Sequence, residues 1–140
     1  MNKLLIGIAL VMGFALYACC KAECIKDDDL TVTFQNLRHR DTDTVLLVRY
    51  KKGASAAQPL DSTWKYSAPV TPDTAYSRLF VLLKGDSDWQ VYIPALSKRY
   101  LVTDLIVASS ECNCERGRSV YVRSYKLDGT EQMGSVLFLR

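Results

Sequence analysis

Short runs of β-branched and aromatic residues, separated by turn-forming residues, fill this sequence from Leu30 to its C-terminal end. Apolar and polar residues alternate over 30–35 and 89–93, which is the period of a half-buried strand. Further runs are too short for typical helices and are rich in Val, Leu, Ile and aromatic residues: 44–50, 78–83, 100–108, 119–125 and 135–139. We therefore predict an all-β domain over residues 30–140, a two-layer antiparallel β-sandwich of about seven strands, with a small β-barrel as the alternative.

Turn-forming residues predict how some of these strands connect. Residues 84–88 contain only turn formers and predict a hairpin between the runs 78–83 and 89–93. The pair Asp128-Gly129 favours a tight turn with positive φ, which predicts a C-terminal hairpin between 119–125 and 135–139, irregular around Gly134. Pro94 ends the strand before it, and the run that begins at Tyr100 predicts a central strand. The segment from Lys51 to Pro72 predicts a loop with at most one edge strand, at 62–66.

The N-terminal segment predicts a cleaved signal helix over residues 1–18. Lys3 precedes an uninterrupted apolar run from Leu4 to Ala18, and a small residue stands before Cys19. This order of charge, apolar run and small residue is typical of a secretory signal. A membrane-spanning helix needs about 20 apolar residues, so a retained span is the weaker interpretation.

The sequence Leu16-Tyr17-Ala18-Cys19 resembles a bacterial lipobox: an aliphatic residue, a variable one, a small one and the cysteine to be lipidated. The resemblance covers only about the first 20 residues. It implies removal of the signal, diacylglycerol on the thiol of Cys19 and a further acyl chain such as palmitate on the new amine. Two or three acyl chains anchor a protein durably, whereas one binds only marginally. The alternatives are Cys20 as the lipidated residue and an ordinary secreted protein cut before a cysteine.

Residues 19–29 predict a lipid-anchored tether. Their sequence is polar, and Lys26-Asp27-Asp28-Asp29 resembles the tags that direct some Gram-negative lipoproteins to the outer surface. We therefore expect the protein in the cell envelope, anchored to a membrane. The outer membrane is the favoured site, at its periplasmic face or at the cell surface.

Four cysteines remain if Cys19 carries lipid, an even number in a compartment that permits disulfides. They are Cys20, Cys24, Cys112 and Cys114. A bridge between Cys112 and Cys114 would be strained, so we expect the N-terminal pair to bond with the C-terminal pair, in either of two connectivities. The Cys112-Asn113-Cys114 spacing is tighter than that of structural zinc sites, and we predict no metal.

Charge and residue inventory exclude several function classes. The chain has 18 Lys and Arg against 15 Asp and Glu, an excess too small for nucleic-acid binding driven by phosphate contacts. His39 is the single histidine and lies in a charged turn, where we expect a solvated loop residue. The pairs Asp41 with Asp43 and Asp86 with Asp88 fall in predicted turns, where Asp serves backbone geometry. We predict no cofactor and no enzymatic activity.

Aromatic residues in the loop-rich middle are the candidate ligand-binding residues: Trp64, Tyr66 and Tyr76. Their rings can stack on a sugar or fill a protein hot spot, although they can also cover the open end of the sandwich. We predict a non-enzymatic envelope lipoprotein that presents loops to a protein or glycan partner. The alternatives are an inhibitor of a cell-wall hydrolase, a subunit of a surface complex and, less favoured, a hydrolase that uses His39.

Overall fold

The computed structural model describes residues 24–54, 58–67, 79–111 and 118–140. Within these ranges the chain forms two short 3-10 turns, η1 (His39–Asp41) and η2 (Pro94–Leu96), and ten strands. The strands are β1 (Lys26–Asp27), β2 (Asp29–Phe34), β3 (Thr44–Lys51), β4 (Pro59–Tyr66), β5 (Val81–Lys84), β6 (Ser87–Ile93), β7 (Lys98–Glu111), β8 (Arg118–Leu127), β9 (Thr130–Met133) and β10 (Val136–Leu139). The described chain is all-β, as the sequence predicts.

Seven of these strands form one large, curled sheet in the order β1-β8-β7-β6-β3-β4, with β9 added beside β8. The long strand β7 lies between β6 and β8, which confirms its predicted central place. Strand β4 lies at one edge and pairs antiparallel with β3. The predicted edge strand at 62–66 is therefore confirmed, and it begins earlier, at Pro59.

The other three strands form a small sheet in the order β10-β2-β5, and the core lies between the two sheets. Burial alternates along β2, where Leu30, Val32 and Phe34 are buried and the threonines between them are half-buried. The core residues are Leu30, Val32, Phe34, Val45, Leu47, Val81, Leu83, Val91, Ile93, Val102, Leu105, Val122, Tyr125, Leu137 and Leu139. Trp89 is partly buried and packs against this cluster.

The turn between β5 and β6 joins the two sheets, so the predicted hairpin over 78–83 and 89–93 is wrong. Strand β5 pairs with β2 in the small sheet, whereas β6 pairs with β3 and β7 in the large one. Gly85 lies at this crossing, where an added Cβ would come within 2.6 Å of Val107 Cγ2 and 3.0 Å of the Asp28 carbonyl oxygen. Turn residues mark a change of direction, but they do not say which sheet the next strand joins.

The predicted C-terminal hairpin is correct in its turn and wrong in its second strand. Asp128 and Gly129 both have positive φ, at 48° and 83°, as expected for this turn. Strand β8 pairs through it with β9, and the chain then leaves this sheet after Gly134. Strand β10 pairs with β2 in parallel, and β1 pairs with β8 in parallel. The sheets are therefore mixed and not wholly antiparallel.

The last residues of the predicted tether lie against the large sheet. The N–H of Val120 donates to the Ile25 carbonyl at 2.8 Å, and the N–H of Ile25 donates to Ser119 Oγ at 3.2 Å. Strand β2 begins only two residues after β1, at Asp29. The predicted signal segment, Cys19 and Cys20 lie outside the described residues.

Candidate functional site

On the outer side of the large sheet, a row of side chains begins at the edge strand β4 and crosses β3, β6 and β7. Leu46 lies opposite Trp64 on one side and opposite Tyr92 on the other, and Tyr92 lies opposite Arg99. Tyr66 lies two residues beyond Trp64, and residues two apart on a strand share a face. We call these five residues the aromatic face.

The aromatic face is accessible and carries a positive charge at one end. Trp64 is 46% exposed and Tyr66 is 69% exposed, while Leu46 and Tyr92 are half-buried between them. The guanidinium carbon of Arg99 lies 5.1 Å from the ring centroid of Tyr92, a cation–π contact. Since neighbouring strands lie about 4.8 Å apart, the row from Trp64 to Arg99 spans about 14 Å.

Two of the three aromatic residues predicted from the sequence lie on this face. Trp64 and Tyr66 are brought together by β4, whereas Tyr76 lies outside the described residues. Leu46, Tyr92 and Arg99 were not singled out from the sequence. Their alternation within predicted strands was visible, but which strands are neighbours, and in what register, is a property of the sheet order.

His39 is buried at 5% exposure, so the prediction of a solvated loop residue is wrong. Its Nε2 shares a hydrogen bond of 2.8 Å with the hydroxyl of Ser67, which directly follows β4. The N–H of Ser67 also donates to the Asp43 carbonyl at 2.8 Å. These bonds fix the end of β4 to the charged turn and leave little of the imidazole accessible to a substrate.

A second candidate region, an open groove of about 1080 Å³, lies where the β5–β6 turn faces β7 and β8. It carries five carboxylates, three ammonium groups and a patch of apolar wall. The charged residues are Asp28, Asp29, Asp86, Asp104, Glu131, Lys52, Lys84 and Lys126. Lys126 and Asp104 form an ion pair at 2.9 Å, which raises the pKa of Lys126.

Lys52 and Tyr125 hold the walls of this groove together. The ammonium of Lys52 donates to the Gly85 carbonyl at 2.8 Å and also to the Leu105 carbonyl, and so links the β5–β6 turn to β7. The hydroxyl of Tyr125 donates to the Val136 carbonyl at 3.1 Å, and burial raises the pKa of Tyr125. The groove is thus a junction between the two sheets that is held by polar contacts.

No known protein family matches this sequence, and no curated protein and no solved structure resembles it significantly. Within residues 24–54, 58–67, 79–111 and 118–140, no helix is long and apolar enough to span a membrane. In that same portion of the chain, no group of three or more His, Cys, Asp or Glu side chains is arranged to hold a metal ion.

The groove predicts a pH-dependent contribution to stability from Asp29. Burial, and then the neighbouring carboxylate of Asp28, raise the pKa of Asp29, although the ammonium of Lys84 lowers it in part. The folded protein therefore retains this proton to higher pH than the unfolded chain. Its contribution to stability is present at low pH and is lost as the pH rises from about 3.8, the ordinary pKa of an aspartate, through the raised pKa of the folded protein.

We expect Asp29→Asn to raise the free energy of unfolding at about pH 7 and to leave it nearly unchanged at about pH 3. Urea denaturation at the two pH values measures the difference. Asp43→Asn, which changes an exposed aspartate outside the groove, is the matched control. A larger gain at low pH than at neutral pH would contradict the sign of the shift.

Proposed function

We propose that the chain is a non-enzymatic cell-envelope lipoprotein whose aromatic face binds a glycan or protein of the envelope. The lipobox-like sequence before Cys19 supports the anchor, at the outer membrane. The observation that carries the binding function is the accessible row of Trp64, Leu46, Tyr92 and Arg99 across four strands. Exposed Trp and Tyr beside Arg are the residue types that contribute most at binding surfaces.

The shape of the row favours a glycan over a protein as the partner. The Trp64 and Tyr92 rings lie in one row on the outer side of the sheet and offer stacking surfaces to the apolar faces of sugar rings. The Arg99 guanidinium and the Tyr66 hydroxyl add hydrogen-bond donors at the two ends of the face. A lipid anchor at Cys19 would keep this face close to the cell wall.

A disulfide between the tether and the pair Cys112 and Cys114, which precedes β8 in the sequence and lies outside the described residues, is part of the same proposal. Cys24 is not a free thiol. Its neighbour Ile25 is hydrogen-bonded to Ser119 and Val120, which follow Cys112 and Cys114 by a few residues in the sequence. A bridge from the N-terminal pair to the C-terminal pair would close a loop of about 90 residues and stabilise the fold by roughly 4 kcal/mol.

The binding proposal predicts that Trp64→Ala weakens binding to purified peptidoglycan sacculi by about tenfold or more, because an exposed tryptophan that stacks on the ligand contributes about 1.4 kcal/mol or more. Co-sedimentation of the protein with sacculi measures the bound fraction. Met133→Ala, which truncates an exposed side chain on β9, is the matched control and should bind as the wild type does. Equal binding by the Trp64 variant and the wild type would contradict the role of the aromatic face.

The alternatives predict different outcomes in the same assay. A subunit of a surface complex, or an inhibitor of a cell-wall hydrolase, would leave sacculi unbound and would co-purify with a protein after mild detergent extraction. A hydrolase that uses His39 would lose its activity in His39→Ala, whereas a binding module should retain its binding. This last alternative starts from the hydrogen bond between His39 Nε2 and the Ser67 hydroxyl, which places a hydroxyl beside an imidazole.

A further inference from the structure

Among the residues that the structure describes, no strand pairs with the outer edge of β4. In the described part of the chain β4 pairs with β3 alone, so its other edge presents backbone N–H and C=O groups without a strand partner. All eight residues of β4 are exposed. Sheet edges are usually protected by short length, charged residues, proline or bulges. Here the protection is limited to Pro59 at the start, a bulge opposite Arg49 and Tyr50, and two charges of opposite sign.

The sequence of β4 is complementary to itself in one antiparallel register. With Thr63 opposite Thr63 of a second copy, Asp61 lies opposite Lys65, and Lys65 lies opposite Asp61. The same register places Ser62 opposite Trp64, while Leu60 lies at the bulge of β4. Opposite charges placed directly across two strands are stabilising.

The neighbouring registers lose this complementarity. Centring the pair on Ser62 places Asp61 opposite Thr63 and Lys65 opposite Pro59. Centring it on Trp64 places Asp61 opposite Ser67. In an antiparallel pair, two residues directly opposite each other both direct their backbone N–H and C=O groups into the shared ladder, or both direct them away from it. The centre of the pair therefore moves from one residue of β4 to the next, which shifts the pairing by two residues. Charge therefore selects the register centred on Thr63.

The ion pairs that already exist leave room for this contact. The carboxylate of Asp61 accepts hydrogen bonds from Arg49 on β3, with Nε at 3.2 Å from Oδ1, and about half of its side chain stays exposed. Lys65 forms no ion pair within the ranges that the structure describes. The Lys65 ammonium of a second copy would therefore approach the carboxylate of Asp61. Arg49 of the chain that contains this Asp61 already holds the carboxylate in place.

We propose that two copies of this chain associate by antiparallel pairing of β4 with β4 about Thr63. The contact is isologous, with the same residues contributed by both copies, and it joins the two large sheets into one continuous sheet. Because residues that face each other in such a pair lie on the same side, both aromatic faces lie on one side of the joined sheet. This association requires no bound glycan.

Cysteine cross-linking in the full chain tests the register. Thr63→Cys places two thiols directly opposite each other, within reach of a disulfide after small adjustments. Leu60→Cys is the matched control, because its two copies would lie about 20 Å apart along the strands. We expect a disulfide-linked dimer on a non-reducing gel for position 63 and not for position 60. A folded Thr63 variant without dimer, or equal dimer at both positions, would overturn the proposal.

Charge exchange tests the same contact independently. In the Thr63→Cys background, Lys65→Glu and Asp61→Lys should each reduce the dimer about tenfold, since each places like charges opposite each other twice. Co-expression of the two variants should restore the dimer, because every opposite pair is then attractive. Circular dichroism verifies that each variant folds. An unchanged dimer in Lys65→Glu would overturn the register.

Capture of a protein of another mass by the thiol introduced at position 63 would overturn self-association, because a different partner would then occupy this edge.

Discussion

Leu83→Ala in β5 is expected to lower the free energy of unfolding by about 2–5 kcal/mol, the range for a buried leucine whose loss leaves a cavity. Leu82→Ala, one residue earlier on the same strand, is expected to change it by only about 0.5 kcal/mol. The reason is the alternation of faces along β5. Leu83 is fully buried between the sheets, whereas Leu82 is 56% exposed on the outer side of the small sheet.

Urea denaturation followed by circular dichroism measures both variants. The chemical change is the same in the two cases, so helix or strand propensity and unfolded-chain effects cancel in the comparison. An unchanged dependence on urea would show that the surface exposed on unfolding stays the same. Equal destabilisation by the two variants would contradict the placement of β5 in a sheet with one buried face.

The all-β class and most strand positions could be predicted because they depend on local pattern. Alternation over 30–35 places Leu30, Val32 and Phe34 on one face, and these are the residues that β2 buries. Likewise Pro94, which has no N–H to donate, marks the end of β6 and the start of η2. Such signals are contained in a few neighbouring residues.

The partners of the strands could not be predicted, because they depend on residues far apart in the chain. The run 135–139 resembles the second strand of a hairpin, yet β10 pairs with β2 about a hundred residues earlier. The turn at Gly85 resembles a hairpin loop, and its actual role depends on Val107 and Asp28 approaching it closely. The same limit applies to the aromatic face, whose row exists only because β4, β3, β6 and β7 are neighbours.

The carboxylate of Asp88 has the kind of role that the sequence predicts, but its contacts extend beyond its own turn. The sequence predicts that this carboxylate serves backbone geometry, and it does so at a distance. Asp88 is buried at 3% exposure; its Oδ2 accepts the N–H of Gly53 at 2.8 Å, and its Oδ1 accepts the N–H of Asp104 at 3.2 Å. One carboxylate therefore joins β6, the end of β3 and the bulge in β7.

Both backbone positions that Asp88 holds have positive φ, 70° at Gly53 and 53° at Asp104. A non-glycine residue such as Asp104 adopts this conformation at a cost of about 1–2 kcal/mol, so it needs contacts that maintain it. The bulge places Leu105 in the core, and the Leu105 carbonyl accepts from Lys52. Asp88 therefore supports the wall of the groove as well as the packing beneath it.

Asp88→Ala is expected to lower the free energy of unfolding by about 2–6 kcal/mol, because two backbone N–H groups lose their acceptor and each such loss costs about 1–3 kcal/mol. Asp86→Ala is the matched control. Asp86 is exposed and accepts one hydrogen bond, from the Ser87 hydroxyl at 2.8 Å, so its removal should cost about 0.5 kcal/mol or less. Chemical denaturation of both variants at neutral pH measures the difference.

Amide hydrogen exchange separates a local from a general role of Asp88. If the carboxylate holds the β7 bulge in place, the N–H groups of Gly53 and Asp104 should exchange faster in the alanine variant under native conditions. The N–H groups of β2 and β10, in the other sheet, should slow or quicken only with global stability. Uniform acceleration across both sheets would contradict a local role, whereas acceleration confined to the loop after β3 and the bulge would identify Asp88 as the residue that shapes this side of the groove.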